Sequence, residues 1–293
     1  MTSSYLYLNG LRIHYLHWEQ TGGRPLVLLH GLASNAHIWD LLAPRLLEHS
    51  LQPLAPDTRG HGLSDKPDDS YGFDAVVGDL AAFIDSCHLE HPLLVGHSWG
   101  GHIILDYAAR FPTGPRAPAG LVLVDGGITQ LDDAPGATWE EVRQRLTPPR
   151  LAGMPLETFL DNLSQWTQNW GPLSDEIIAI ILANFAIDEN DVLAPHLTFE
   201  RHMQIVRALW EFQTYERFPK VRCPALAVLA AGAQPRSPGD QAFLEARQRG
   251  LARAQAHMPN LQAHWMADTI HDVPLQRPAE LAEMIARFAA SLE

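Results

Sequence analysis

Five consecutive residues, Gly96-His97-Ser98-Trp99-Gly100, follow the apolar run Pro92-Leu93-Leu94-Val95 and precede a helical pattern that begins near Gly101. A serine at such a strand-to-helix corner is a candidate nucleophile, because the tight corner forces it into a sparsely populated backbone conformation that turns its hydroxyl outward. The flanking glycines let the two elements approach closely. An acyl-transfer serine also needs a base within hydrogen-bond reach, a carboxylate to orient that base, and donors for the developing oxyanion. Of the 15 histidines, His271 has the fitting position, in the loop Thr269-Ile270-His271-Asp272-Val273-Pro274 between the last strand-like segment and the last helix. His30-Gly31-Leu32 follows the apolar segment Leu26 to Leu29, so the main-chain amides of Leu32 and Trp99 are the expected oxyanion donors. Their side chains are then left to line an acyl pocket.

The elements that must position these groups are legible as apolar runs. Strand-like segments occur at Tyr5 to Leu8, Ile13 to Trp18, Leu26 to Leu29, Gln52 to Ala55, Leu93 to Val95, Leu121 to Val124, Ala225 to Leu229 and His264 to Met266. Several are short and continuously apolar, as expected of strands covered on both faces. Between them Val76, Leu80, Phe83 and Ile84 recur at helical spacing, as do Ile104, Leu105 and Ala108, and Leu281, Ile285 and Phe288 near the end. The pattern predicts an α/β fold, a mostly parallel eight-stranded sheet flanked by helices. Strand signals vanish from about Ile128 to Pro219, where Ser174-Asp175-Glu176 marks a helix start before the nearly all-round apolar Ile177, Ile178, Ile180, Ile181 and Leu182. This region is expected to be a helical cap, giving a core of residues 1–127 and 220–293 with an insertion of residues 128–219.

Bulk composition narrows the function classes. The chain of 293 residues is 46% hydrophobic and 19% charged, ordinary for a globular protein able to bury a substantial core. A formal charge of −13 argues against general affinity for nucleic acid, which needs a surplus of Lys and Arg. Two cysteines, Cys87 and Cys223, make no disulfide framework and suit a reducing compartment. No stretch is long and apolar enough to span a bilayer, and the N-terminus lacks a signal-peptide pattern, so no membrane partner and a cytoplasmic location are expected. His196 and His202 lack Cys or carboxylate partners at metal-ligand spacing, and no phosphate-cradling glycine loop is present. No metal and no cofactor are therefore expected.

His30-Gly31, Asp57-Thr58-Arg59-Gly60-His61-Gly62-Leu63-Ser64, Gly96-His97-Ser98-Trp99-Gly100-Gly101 and His271-Asp272-Val273-Pro274 together resemble the α/β-hydrolase fold family, in its order and over nearly the full chain. The resemblance implies the α/β-hydrolase fold and a serine triad, and it says much less about substrate. It also implies that Asp57, Arg59 and His61 support the site without entering the chemistry. The chain departs from the family at the acid, because Gly232-Ala233-Gln234-Pro235 has a proline where a Gly-x-x-Asp pattern places the aspartate. Asp125, in Leu121-Val122-Leu123-Val124-Asp125-Gly126-Gly127, resembles the alternative acid position of some lactonases, lipases and dehalogenases and is the expected acid; Asp240 is the other candidate.

The expected reaction is ester hydrolysis through an acyl-enzyme on Ser98, with His271 as base and Asp125 stabilising the imidazolium. The cap region is rich in large apolar groups, Trp166 and Trp170 among them, which suits a small, fairly hydrophobic ester or lactone as substrate. Rival readings are a prolyl-type aminopeptidase, with Glu140, Glu141 or Glu157 holding an ammonium, a carbon-carbon bond hydrolase, and a non-enzymatic ligand receptor of the same fold.

Overall fold

The structure is a computed structural model that describes residues 1–19, 22–133, 136–167, 173–232 and 238–292, and of residues 238 and 240 the backbone only. Strands β1 (Thr2–Leu8), β2 (Leu11–His17), β3 (Arg24–Leu29), β4 (Leu51–Pro56), β5 (Leu93–His97) and β6 (Gly120–Val124) precede the stretch 128–219. Strands β7 (Phe185–Ile187) and β8 (Leu193–Pro195) lie within it, and β9 (Ala225–Ala230) and β10 (Leu261–Met266) follow. The helices in chain order are α1 (Ala43–Leu47), α2 (Phe73–Ser86), α3 (Trp99–Arg110), α4 (Trp139–Leu146), α5 (Leu156–Trp166), α6 (Asp175–Leu182), α7 (Phe199–Glu211), α8 (Pro238–His257), α9 (Val273–Gln276) and α10 (Pro278–Ala290).

Eight strands form one sheet in the order β1-β2-β4-β3-β5-β6-β9-β10, antiparallel where β2 pairs with β1 and β4, and parallel throughout the rest. All eight expected strands are present, each extended by a residue or more at one or both ends. Their continuous hydrophobicity follows from the period-two geometry of a strand whose two faces are both covered. Val27, Leu29, Leu94, Leu121, Leu123 and Ala227 face one apolar layer, which holds Val76, Leu80 and Phe83 of α2, Ile103 and Ile104 of α3, and Leu251 and Ala254 of α8. Their neighbours Leu26, Leu28, Leu93, Val95, Val122, Val124 and Val228 face the other, with Leu46 of α1 and Leu281, Ile285 and Phe288 of α10.

The expectation that residues 128–219 contain no strand is corrected by the hairpin β7-β8. Each strand is only three residues long, too short to display a period, and the turn is closed by Asp188, whose carboxylate accepts from the amides of Asn190 and Val192. Ser174 caps α6 by accepting from the Ile177 amide, as the Ser-Asp-Glu start anticipates. Among the described residues no helix is long and apolar enough to cross a membrane.

Chain order reverses around β3, which has β4 on one side and β5 on the other. Ligands in open parallel sheets gather outside the carboxyl ends of the strands at such a switch point. The loops that leave β3, β5, β6 and β9 are therefore where functional side chains should converge.

Candidate active site

Ser98 sits between β5 and α3 with φ 53° and ψ −114°, a conformation outside the regions a non-glycine residue ordinarily occupies. Two contacts hold it there. Its amide donates to Val124 O of the neighbouring strand at 2.9 Å, and its carbonyl accepts from Gly101 at 3.0 Å. The turn closes because glycines face glycines and bare backbone: a Cβ on Gly96 would lie 2.4 Å from Gly100 O, and one on Gly126 would lie 2.0 Å from Ser98 O. The strained corner is thus enforced by close backbone packing on both sides.

His271 lies in the loop after β10, with its Nε2 2.9 Å from Ser98 Oγ. Its Nδ1 is 2.6 Å from Asp125 Oδ2. The loop is pinned at three points: Gly232 N donates to Thr269 O at 3.0 Å, Ile270 N donates to Gln276 Oε1 at 2.7 Å, and His97 Nε2 donates to His271 O at 2.9 Å. Asp125 follows β6 in a left-handed conformation, φ 46°, and its carboxylate is completely buried. Its Oδ1 accepts from Ala230 N at 3.0 Å, and its Oδ2 accepts a second bond, from Arg247 Nη2 at 2.7 Å.

The electrostatics follow from these contacts. Burial disfavours the Asp125 anion, but the hydrogen bond from His271, the charges of His271 and Arg247, and the Ala230 amide outweigh it and hold the carboxyl below its ordinary range. Burial likewise opposes a charged His271, and the Asp125 carboxylate overcomes that and raises the imidazole above its usual value. His97 goes the other way: burial, then repulsion by His271, push it down to about 4, so it stays neutral.

The loop after β3 is built by a second set of buried polar groups. The His30 ring accepts at Nε2 from Thr58 N at 3.0 Å and donates at Nδ1 to Gly31 O at 2.8 Å, which fixes the turn that carries Leu32. Burial keeps His30 below its ordinary pKa, consistent with a neutral ring in that role. Gly31 packs against the serine, since a Cβ there would come 3.1 Å from Ser98 Cβ. Trp99 opens α3, so its amide has no partner within the helix. Asp57 accepts from the amides of Ala36 and Leu63 and from His14 Nδ1, and Arg59 pairs with Asp79, so both tie loops together away from Ser98.

An open cleft lies over Ser98, lined by Gly31, Leu32, Ala33, Ser34, Ile38, His97, Ser98, Ile180, Ile181, Asn184, His271, Asp272 and Leu275. Leu32 is among its lining residues. The Trp99 side chain is not, because its ring is buried and stacked 5.3 Å from His61. Trp166 is 51% exposed and packs edge-on against Phe159 within α5, and Trp170 lies outside the described residues. The wall facing the serine comes instead from Ile180 and Ile181 of α6, and Asn184, two residues past that helix, accepts at Oδ1 from Asn35 Nδ2 of the loop after β3 at 2.8 Å. An apolar stripe on a short helix carries no sign of which cavity it will roof.

The side chain of Asp240 lies outside the described residues. Glu140 pairs with Arg143, Glu141 closes the capping box of α4 with Thr138, and Glu157 is exposed. His202 donates from Nε2 to Leu146 O at 3.0 Å. Sequence reasoning missed Arg247, which reaches the site from the middle of α8; its only local signal is Phe243 one turn earlier on the same face.

Comparison with known proteins bears on the family and the fold. The profile of the alpha/beta hydrolase family matches residues 26–284. An N-formylmaleamate deformylase of Pseudomonas putida is 29% identical over 270 residues, covering 91% of this chain and 88% of that protein. A non-heme chloroperoxidase of Streptomyces lividans is 33% identical over 147 residues, 48% of this chain, and the match spans only 53% of that protein's length. Among solved structures, an E-2-(acetamidomethylene)succinate hydrolase superposes with TM-score 0.75 at 20% identity, covering 99% of both chains. The esterase RhEst1 from Rhodococcus sp. superposes with TM-score 0.73 at 23% identity over the whole of both chains. With its serine corner at the sheet's switch point and a profile match running from β3 into α10, the chain belongs to the alpha/beta hydrolase family.

Proposed function

We propose that the protein is a carboxylic ester hydrolase that cleaves small, fairly hydrophobic esters and lactones through an acyl-enzyme on Ser98. The observation that carries this reading is the pair of short contacts on one imidazole, 2.9 Å to Ser98 Oγ and 2.6 Å to Asp125 Oδ2. In the cycle, His271 Nε2 takes the hydroxyl proton as Ser98 Oγ attacks the carbonyl carbon, and the oxyanion is held by the amides of Leu32 and Trp99. Asp125 keeps the Nδ1 proton in place and stabilises the imidazolium without becoming protonated. His271 then returns the proton to the leaving alkoxide, and a water activated by the same nitrogen hydrolyses the acyl-enzyme. Residues 128–219 act as the lid, and Leu32, Ile180 and Ile181 hold the apolar part of the substrate.

A prolyl-type aminopeptidase loses support, since Glu140 and Glu141 are engaged within α4 and Glu157 is exposed to solvent. The likeness over most of its length to a deformylase favours a second reading, the same acyl-enzyme cycle acting on a small N-acyl amide.

Nitrophenyl esters of increasing chain length, lactones and formamides, assayed side by side, test both. Turnover of the esters should exceed that of the amides, and Ser98→Ala or His271→Ala should lower kcat by about 10⁴-fold, since the triad acts as a unit. Asp125→Asn should cost more than Asp240→Asn. Near-full turnover in Ser98→Ala would sink the acyl-enzyme. Because the catalytic base must be neutral, kcat/KM should rise with pH around a midpoint above the ordinary histidine value of 6.5.

A further inference from the structure

The segment after β9, where the family's usual acid would stand, contributes no described carboxylate to His271, yet the helix that follows sends a side chain to the acid that is used. Arg247, in the middle of α8, is 6% exposed. Its Nη2 donates to Asp125 Oδ2 at 2.7 Å, the oxygen that also faces His271, and its Nη1 donates to Ala230 O at 2.9 Å. Ala230 in turn gives its amide to Asp125 Oδ1. The end of β9 and one guanidinium therefore grip both carboxylate oxygens. Phe243, one helical turn earlier, covers the guanidinium with its ring face at 3.9 Å and turns its edge to His271 with centroids 6.3 Å apart.

We propose that Arg247 is a positioning residue of the hydrolytic centre, which locks the orientation of Asp125 and sets the pH range over which His271 can act as a base. This rests on the reading of Ser98, His271 and Asp125 as the triad. Two physical effects follow. A buried carboxylate with one hydrogen-bond partner fewer would rotate or draw in water, and the short bond that orients the imidazole would weaken. The fixed positive charge also opposes a second positive charge on His271, offsetting part of the attraction by Asp125 and keeping the ring neutral to lower pH than the carboxylate alone would allow.

The other groups facing His271 do not duplicate this. Asp125 at the end of β6 and Asp272 beside it in the loop both favour the imidazolium, and His97 at the end of β5 is neutral. Among the described residues around this imidazole, Arg247 supplies the opposing cation.

Arg247→Gln removes the charge and Arg247→Lys keeps it without the two-pronged grip, so the pair separates the effects. Both should lower kcat by about 10- to 100-fold with KM changed less than about threefold, the scale seen when a partner that orients a functional ligand is removed. Only Arg247→Gln should move the acidic limb of the kcat/KM profile to higher pH. Added to Asp125→Asn, Arg247→Gln should cost less than about threefold more, because its target carboxylate is gone. If Arg247→Gln does not fold, Phe243→Ala, which opens the guanidinium to water, should move the limb in the same direction by less. An unmoved limb in a folded Arg247→Gln or Phe243→Ala variant overturns the proposal, as does full additivity with Asp125→Asn. Ser98→Ala, run in parallel, keeps the two readings apart: near-full turnover there sinks the triad, whereas a loss of about 10⁴-fold in Ser98→Ala beside an unmoved limb sinks only the role of Arg247.

Discussion

Ser3, His14 and Asp57 repeat the residue types and distances of the proposed triad elsewhere in the molecule: Ser3 Oγ lies 2.8 Å from His14 Nε2, and His14 Nδ1 lies 2.7 Å from Asp57 Oδ2. The difference lies in the backbone. Ser3 stands in the extended strand β1, where successive amides point to opposite sides and cannot converge on one developing oxyanion. Ser98 stands at a corner, with the Trp99 amide in the first turn of α3, where it has no partner within the helix, and the Gly31-Leu32 turn packed against its Cβ. A fluorophosphonate probe should therefore modify the protein once, on Ser98, as read by intact mass and peptide mapping. Ser98→Ala should abolish labelling, and a label on Ser3 would mean that a relay suffices without oxyanion donors.

At the level of elements, α6 decides what fits above the serine. Its start is set by Ser174, and its isoleucines were legible as apolar, but only the packed chain turns Ile180 and Ile181 toward the cavity and binds Asn184 to the loop after β3. Ile181 is half-buried, so truncation should remove substrate contact with little cost to folding. Ile181→Ala is expected to raise KM for longer nitrophenyl esters about 5- to 10-fold, on the order of 1 kcal/mol of lost apolar contact, with kcat little changed. Ile181→Trp should reverse the chain-length preference by filling the space. Equal KM values for acetyl and octanoyl esters in all three proteins would remove α6 from the substrate wall.

For the whole molecule, the buried carboxylates couple stability to pH. Asp57 is held down to about 2: burial penalises its anion, but the hydrogen bonds from His14 and from the Ala36 amide are among the contacts that outweigh that penalty. A folded-state pKa below the unfolded value of 3.8 means that the unfolded chain binds the extra proton, so this stability is present above about pH 4 and is lost as pH falls toward 2. Its size is about 2 kcal/mol. Asp57→Asn should lower the neutral-pH unfolding free energy by at least that much and flatten its dependence between pH 4 and 2, as followed by urea melts at stepped pH. An unchanged acid slope would show that other groups drive acid unfolding.

Strands could be read from the chain because a parallel sheet covered on both faces demands unbroken apolar runs, and β3, β5, β6 and β9 have them. The serine corner could be read because only glycine tolerates the backbone approach at Gly96 and Gly126. The hairpin β7-β8 escaped notice, since three residues display no period and its turn is closed by the side chain and backbone of Asp188. Asp125 could be nominated from its place after β6, whereas its grip by Arg247 joins residues 122 positions apart that no local pattern links. Hydrophobic periodicity is a property of neighbours along the chain, so the sequence alone determined the eight strands of the main sheet and the strand-to-helix corner that carries Ser98. Charge partners, the roof of the pocket and the fate of the Trp99 side chain depend on contacts made only when the helices close over the sheet, and tertiary structure decided those.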